Sequence, residues 1–183
     1  PCCAFVMLGE GARKAIDATR SSSFAMDLKK WLQIMEAYEG GGNAYHATMP
    51  TDALTKTRDA MLETRDYGFD RLRAEQLELG RKVRTMLVAN GLGSVAAEGF
   101  QAPGVVVSYT DDEGLSSGKA FVGEGLQAAA GVPLKCDEPA DFRTFRIGLF
   151  GLDKLHHADR SVANLESALK RILAVKPAVR AVA

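Results

Sequence analysis

The sequence has no net charge and no long apolar run. Its 183 residues include 23 Lys and Arg against 23 Asp and Glu, so no overall field favours nucleic acid or an acidic membrane surface. No apolar run approaches the roughly 20 residues that a membrane-spanning helix requires. We therefore expect neither nucleic acid nor a membrane among the partners of this chain.

Cysteine is also scarce. The three cysteines are Cys2, Cys3 and Cys136, an odd count without the spacing of zinc ligands. Cys2 and Cys3 lie in an apolar run, so we expect reduced, buried thiols and a cytoplasmic protein. The histidines have no partner cysteines at zinc-ligand spacing, so no metal site is expected; they are His46, His156 and His157.

The hydrophobic and charged fractions of the sequence are typical of a globular protein with a hydrophobic core. Hydrophobic residues make up 46% and charged residues 25% of the chain, and this length suits one large domain or two small ones. The apolar run at 1–8 predicts a buried strand entered from the middle of a sheet. Because chains rarely start inside a core strand, we expect a fragment of a longer protein.

Helices dominate the first half of the sequence. The spacing predicts helices over 12–19, 27–39 and 51–67, the last with Thr51 as its N-cap, and a longest helix over 69–90. The apolar face of the second helix is formed by Leu28, Trp31, Leu32, Met35 and Tyr38. On the longest helix, the predicted inward face consists of Phe69, Leu72, Leu79, Val83, Met86 and Leu87. Its predicted solvated face carries residues of both charges and includes Arg84.

Strands and helices alternate in the second half. We predict strands at 104–109, 132–136 and 142–150, and helices at 115–130 and 159–175 with Pro177 beyond the last. This order indicates an α/β chain whose C-terminal part is a small α+β domain with helices packed on one face of a sheet. We place the domain boundary between 1–66 and 67–183.

The strand at 142–150 carries a cation that the core does not need. Side chains alternate along a strand, so Phe145 and Ile147 share one face while Arg146 points the other way beside Gly148. A glycine there leaves room next to the guanidinium for a small anionic ligand. The alternative is an edge strand whose arginine is solvated or salt-bridged.

A second candidate site precedes the helix at 51–67. Tyr45, His46 and Thr48 lie just before its N-terminus, where backbone N–H groups are free and the two hydroxyls add neutral donors. This combination could hold a phosphate. The alternative is a capping loop with a packed tyrosine.

Three stretches together resemble landmarks of class V aminotransferases. They are DLKKW at 27–31, YHATMP at 45–50 and FRIGLFG at 145–151. Their order and spacing are similar to those of the alanine–glyoxylate and serine–glyoxylate aminotransferases, which are pyridoxal-phosphate enzymes of fold type I. The resemblance covers nearly the whole chain but only the C-terminal portion of such an enzyme. It implies that 1–66 is the tail of the large cofactor-binding domain and 67–183 the small domain.

The resemblance also implies roles for individual residues. Tyr45 and Thr48 match residues that bind the cofactor phosphate in the neighbouring subunit's site of a homodimer. Arg146 matches the arginine that binds the substrate α-carboxylate. The implied reaction moves an amino group from a small amino acid, such as alanine or serine, to a keto acid such as glyoxylate or pyruvate. The cofactor, pyridoxal 5′-phosphate, acts as the electron sink.

One departure from the family pattern concerns activity. The family's Schiff-base lysine precedes a proline region that Pro1 matches, so we expect it upstream of Pro1, and Lys14, Lys29 and Lys30 do not match it. The chain then holds no catalytic residue and should be inactive alone. Residues 132–136 also lack a Gly-Gly pair that many relatives carry before the arginine strand, which leaves the substrate preference open.

Two other functions remain open from the sequence. A lyase of the cysteine desulfurase type would need a reactive cysteine on a mobile loop. Cys136 is the candidate outside the predicted N-terminal strand, but its surroundings do not match that family's loop. The second alternative is a non-catalytic α+β binding or dimerisation module whose arginine strand serves an interface.

Overall fold

The computed structural model describes residues 4–174, which form two compact units. The first unit extends to Glu63 and the second begins at Thr64. The predictions for Cys2, Cys3, Val175 and Pro177 fall outside the described residues. The assignment of 1–66 and 67–183 to a large and a small domain stays a prediction.

The first unit consists of helices. Helix α1 covers Glu10–Ala18, α2 covers Leu28–Glu39, and α3 (Thr51–Tyr67) begins there and continues past the boundary. The Asp27 carboxylate caps α2 by accepting the N–H of Lys30. The carbonyl of Pro50 accepts the first bond of α3, from Leu54 N at 2.9 Å. Pro50 is therefore the N-cap, and the prediction of Thr51 was wrong by one position. The backbone turns before Thr51, whose N–H donates to Met49 O, so Thr51 is already the first residue of the helix.

Two predictions for the apolar residues of this unit were wrong. Residues 4–8 form no strand, and Phe5, Val6 and Met7 are exposed. A strand needs a neighbour for its backbone hydrogen bonds, and the described part of the unit contains no other strand. On α2, Met35 and Tyr38 are exposed, and Ile34 is the buried residue instead.

The second unit contains the other helices. They are α4 (Phe69–Ala89), α5 (Glu113–Ser116), α6 (Lys119–Gly123), α7 (Leu152–His156) and α8 (Ala158–Ala174). The single helix predicted over 115–130 was wrong, because Gly118 adopts a φ of +76° and separates α5 from α6. Helix α7 was not predicted. No helix among the described residues is long and apolar enough to span a membrane.

A three-stranded antiparallel sheet carries the arginine. Its strands are β1 (Val105–Tyr109), β2 (Ala129–Ala130) and β3 (Thr144–Gly148), in the order β1-β3-β2. The arginine strand β3 is therefore central, so the edge-strand alternative was wrong. The strand predicted at 132–136 was also wrong; Lys135 has a φ of +59°, and its N–H bonds the Glu138 carboxylate, which bends the backbone away from a sheet.

Helices pack on one face of this sheet, as predicted. Val106, Phe145 and Ile147 point into a core that they share with residues of α4, α5, α6, α7 and α8. Within α4, Leu79, Val83, Met86 and Leu87 are buried as the periodicity predicted. The opposite face of the sheet carries Thr144, Arg146 and Gly148 of β3, each paired with a residue of β1.

Two residues of α4 exchange their predicted environments. Phe69 is 65% exposed, and Arg84, predicted on the solvated face, is 8% exposed. Arg84 donates from Nη2 to the carbonyls of Ala102 (2.5 Å) and Val105 (3.3 Å). Burial lowers the pKa of this guanidinium. The buried guanidinium thus donates to two backbone carbonyls around the start of β1, while its Nε has no partner among the described residues.

The same helix fixes the two strand ends. The amide nitrogen of Gln76 lies 3.1 Å from Pro103 O and 3.3 Å from Leu149 O, which precede β1 and follow β3. One turn along, a Cβ on Gly80 would lie 2.6 Å from Pro103 O, so only glycine permits this approach. These contacts hold β1 and β3, and with them Arg146, against α4.

Candidate functional site

Arg146 lies half-buried at the centre of the open face of the sheet. It is opposite Val107 of β1 and Ala129 of β2. Its Nε donates to Ala130 O at 2.8 Å. Beside it, Gly148 is exposed, and a Cβ there would meet only the ring of Phe150, at 3.7 Å. A small ligand could therefore approach the guanidinium from this side.

The terminal nitrogens of Arg146 have no partner among the described residues. Several other arginines of the second unit pair with carboxylates, such as Arg81 with Glu78 at 2.7 Å and Arg160 with Asp153 at 2.7 Å. Arg146 makes no ion pair within residues 4–174, which leaves the solvated form of the alternative open. A guanidinium with one nitrogen anchored and two free can hold a carboxylate through parallel bonds.

Tyr45 and Thr48 come together in the first unit, between α2 and α3. The Tyr45 hydroxyl and Thr48 Oγ1 are 3.3 Å apart. Tyr45 is 78% exposed, so the alternative of a packed tyrosine was wrong. Two neutral hydroxyls at this separation can donate to the same anionic group.

His46 anchors the loop that carries these hydroxyls. Its ring lies 4.3 Å from that of Phe24 and 5.0 Å from that of Trp31. A ring nitrogen of His46 is 3.1 Å from Phe24 O, and Trp31 Nε1 donates to Ala25 O at 2.8 Å. The histidine is thus a packing residue, whereas Tyr45 and Thr48 remain exposed.

The structure adds one contact that sequence reasoning missed. The carbonyl of Ala130 orients Arg146, and a backbone oxygen leaves no signal in residue type.

Cys136, the candidate for a desulfurase, is exposed, and its backbone N–H donates to the Glu138 carboxylate at 2.8 Å. Tyr45 and Thr48 belong to the first unit and Arg146 to the second.

The sequence matches no protein-family model and no curated protein. Solved structures do share the fold. An alanine–glyoxylate aminotransferase from Nostoc sp. aligns with 91% of this chain at a TM-score of 0.70 and 18% identity. A ureidoglycine–glyoxylate aminotransferase from Bacillus subtilis aligns with 93% at a TM-score of 0.63 and 18% identity. The chain spans 42% and 43% of those two structures. Its fold is that of the C-terminal part of these aminotransferases, as the resemblance predicted.

Proposed function

We propose that this chain is the C-terminal portion of a class V aminotransferase dependent on pyridoxal 5′-phosphate. The enzyme would transfer an amino group from a small amino acid to a keto acid such as glyoxylate or pyruvate, as a cytoplasmic homodimer with a shared active site. The observation that carries the proposal is the unpaired terminal fork of Arg146, on the central strand of an aminotransferase fold.

Arg146 would bind the carboxylate that both substrates share. An amino acid and a keto acid each present one carboxylate, so one guanidinium serves both halves of the reaction. Hydrogen bonds to charged groups contribute about 1.5–3 kcal/mol each. Because Nε is already held by Ala130 O, less side-chain freedom is lost when substrate binds.

Tyr45 and Thr48 fit the phosphate of the cofactor. Their hydroxyls are exposed and adjacent, and they add no charge that would repel a phosphate. Asp52 in the first turn of α3 disfavours an anion at the helix end itself, so the fit depends on the two hydroxyls. When bound, pyridoxal phosphate supplies an electron sink for the substrate's α-carbon, and these residues would hold its phosphate.

The phosphate role can be tested in the complete enzyme. Tyr45→Phe and Thr48→Val each remove one donor, and we expect each to weaken pyridoxal-phosphate affinity about tenfold, because one charge-assisted hydrogen bond is lost. Tyr38→Phe is the control, since Tyr38 is an exposed tyrosine on α2. Cofactor titration followed by visible absorbance measures the affinity. Unchanged affinity in both variants would exclude the phosphate role.

We propose that the cofactor-binding lysine belongs to polypeptide outside this chain. The chain spans less than half of each aligned structure, and its lysines near α1 and α2 do not match the family's position. The chain alone should therefore lack activity and the visible absorbance of bound cofactor. A Gln-Lys encoded just before Pro1 supports this proposal, and a start codon there contradicts it.

The carboxylate role is tested by Arg146→Ala in the complete enzyme. We expect KM for the amino acid and the keto acid to rise about 10- to 100-fold, because the charged pair is lost. Arg143→Ala is the matched control, an exposed arginine three residues earlier. Steady-state kinetics with both substrates measure the change. Normal KM values in the Arg146 variant would refute the proposed function.

A further inference from the structure

We propose that residues 128–131 form a positioning segment that makes Arg146 bind its carboxylate end-on, through the two terminal nitrogens. This inference deepens the proposed function and rests on it. The segment contains β2, the two-residue edge strand beside the arginine strand. Its carbonyl at Ala130 is the acceptor for Arg146 Nε.

The Ala130 carbonyl divides the guanidinium into an occupied and a free edge. A carboxylate can bind side-on, using Nε and one terminal nitrogen, or end-on, using both terminal nitrogens. With Nε held at 2.8 Å from Ala130 O, a side-on carboxylate would have to displace a carbonyl whose partial charge also repels it. The end-on edge has no competitor among the described residues.

Two glycines place this carbonyl. A Cβ on Gly131 would lie 2.0 Å from Thr144 O and 2.5 Å from Thr144 Oγ1. On the other side, Gly131 N donates to Ser116 O at 3.0 Å, and a Cβ on Gly118 would lie 2.9 Å from Ala128 O. The segment is thus wedged between β3 and the turn that joins α5 to α6, and no larger residue fits at either glycine.

The consequence concerns substrate orientation. Arg146 starts on a strand fixed by α4, and its Nε is fixed by the wedged segment. The direction in which the two terminal nitrogens of Arg146 point is therefore set both by its backbone and by the hydrogen bond at Nε. Gly131 and Gly118 are positioning residues for the carboxylate, although neither would contact it.

The first experiment uses the unaltered chain with 15N-labelled arginine. We expect the Arg146 Nε–H to exchange with solvent about tenfold more slowly than that of exposed Arg143, because it is hydrogen-bonded. Arg146→Lys assigns the signal. Titration with pyruvate, against chloride at equal ionic strength, should shift the terminal nitrogens of Arg146 and leave Nε in place. A pyruvate-dependent shift at Nε would overturn the end-on mode while supporting the carboxylate role.

The second experiment tests whether Gly131 is needed to keep the positioning segment against β3. Gly131→Ala should push the segment from β3, so that the Arg146 Nε–H exchanges as fast as that of Arg143 and pyruvate shifts Nε as well. Gly123→Ala is the matched control from α6, where a Cβ meets nothing within 4 Å, and it should leave both signals unchanged. Slow Nε–H exchange in folded Gly131→Ala would overturn the role of the glycine.

Each failure is distinguishable. If the Gly131 variant does not fold, the titration of the unaltered chain decides the binding mode. If pyruvate shifts no nitrogen of Arg146 while its Nε–H still exchanges slowly, the end-on mode fails, and the KM values of Arg146→Ala in the complete enzyme decide the proposed function separately. Fast Nε–H exchange in the unaltered chain refutes the positioning segment alone.

Discussion

Ser108 is a polar residue in the core of the second unit. It lies on β1 opposite Phe145 and is 1% exposed. Its hydroxyl finds no hydrogen-bond partner among the described residues. A buried hydroxyl without a partner loses its hydration and gains nothing in exchange. This side chain therefore reduces the stability of the sheet that carries Arg146.

We expect Ser108→Ala to raise the free energy of unfolding by about 1 kcal/mol, because the desolvation cost is removed with one oxygen atom. Ser94→Ala is the control, since Ser94 Oγ donates to Ala96 O at 3.1 Å, and its loss should destabilise by about 1 kcal/mol. Urea denaturation followed by circular dichroism measures both. A destabilised Ser108 variant would show that the hydroxyl is satisfied in solution.

At the scale of elements, the loop between β2 and β3 is held by one carboxylate. Glu138 accepts the N–H groups of Lys135 and Cys136, each at 2.8 Å. These bonds lower the pKa of Glu138 from 4.5 to about 2. They also hold Lys135 and Asp137 at positive φ, a conformation that non-glycine residues rarely adopt.

This loop should loosen in acid. Because the folded pKa of Glu138 is depressed, its stabilisation is complete above about pH 4.5 and is lost as pH falls towards 2. The amide signals of Lys135 and Cys136, followed by NMR, should shift with a midpoint near pH 2. Glu138→Gln should abolish this transition, and Asp137→Asn should keep it. A midpoint near 4.5 would mean that the two bonds do not form.

Helix α4 shows how far periodicity predicts an element. Its length and its buried stripe at Leu79, Val83 and Leu87 follow from three- and four-residue spacing. The exchange between Phe69 and Arg84 does not, because it depends on where the segment before β1 crosses the helix. The residue type indicates whether a side chain favours water or the core. For Arg84, the hydrogen bonds to the crossing segment outweigh that preference.

At the scale of the whole molecule, the two units differ in their cores. The second unit buries a continuous cluster from Leu79 to Leu169. In the described part of the first unit, Ile34 is the buried hydrophobic residue, and many large apolar side chains are exposed. Because burial of apolar area is the main source of stability, the first unit has little of its own.

We expect hydrogen exchange to separate the units in the isolated chain. Amides of β3 and of α4 around Leu79 should be protected by at least about 2 kcal/mol more than those of α1 and α2, a roughly thirtyfold difference in exchange. Mass spectrometry after deuterium labelling measures it by segment. Chain concentration should be varied as the control, since self-association would protect the first unit. Equal protection of α2 and α4 in dilute solution would contradict this prediction.

The sequence by itself determined the helices α1 to α4 and α8 to within a few residues, the strands β1 and β3, and the inward face of β3. These features follow from local spacing, capping residues and glycines. It also supplied Tyr45, Thr48 and Arg146 as candidates through motif order. The tertiary structure alone decided that β3 is central, that residues 4–8 are not a strand, and that Ala130 orients Arg146. The central position of β3 and the contact between Ala130 and Arg146 depend on backbone groups contributed by other strands. Residues 4–8 have no partner strand in the described part of the first unit. Nearby residue types record none of this.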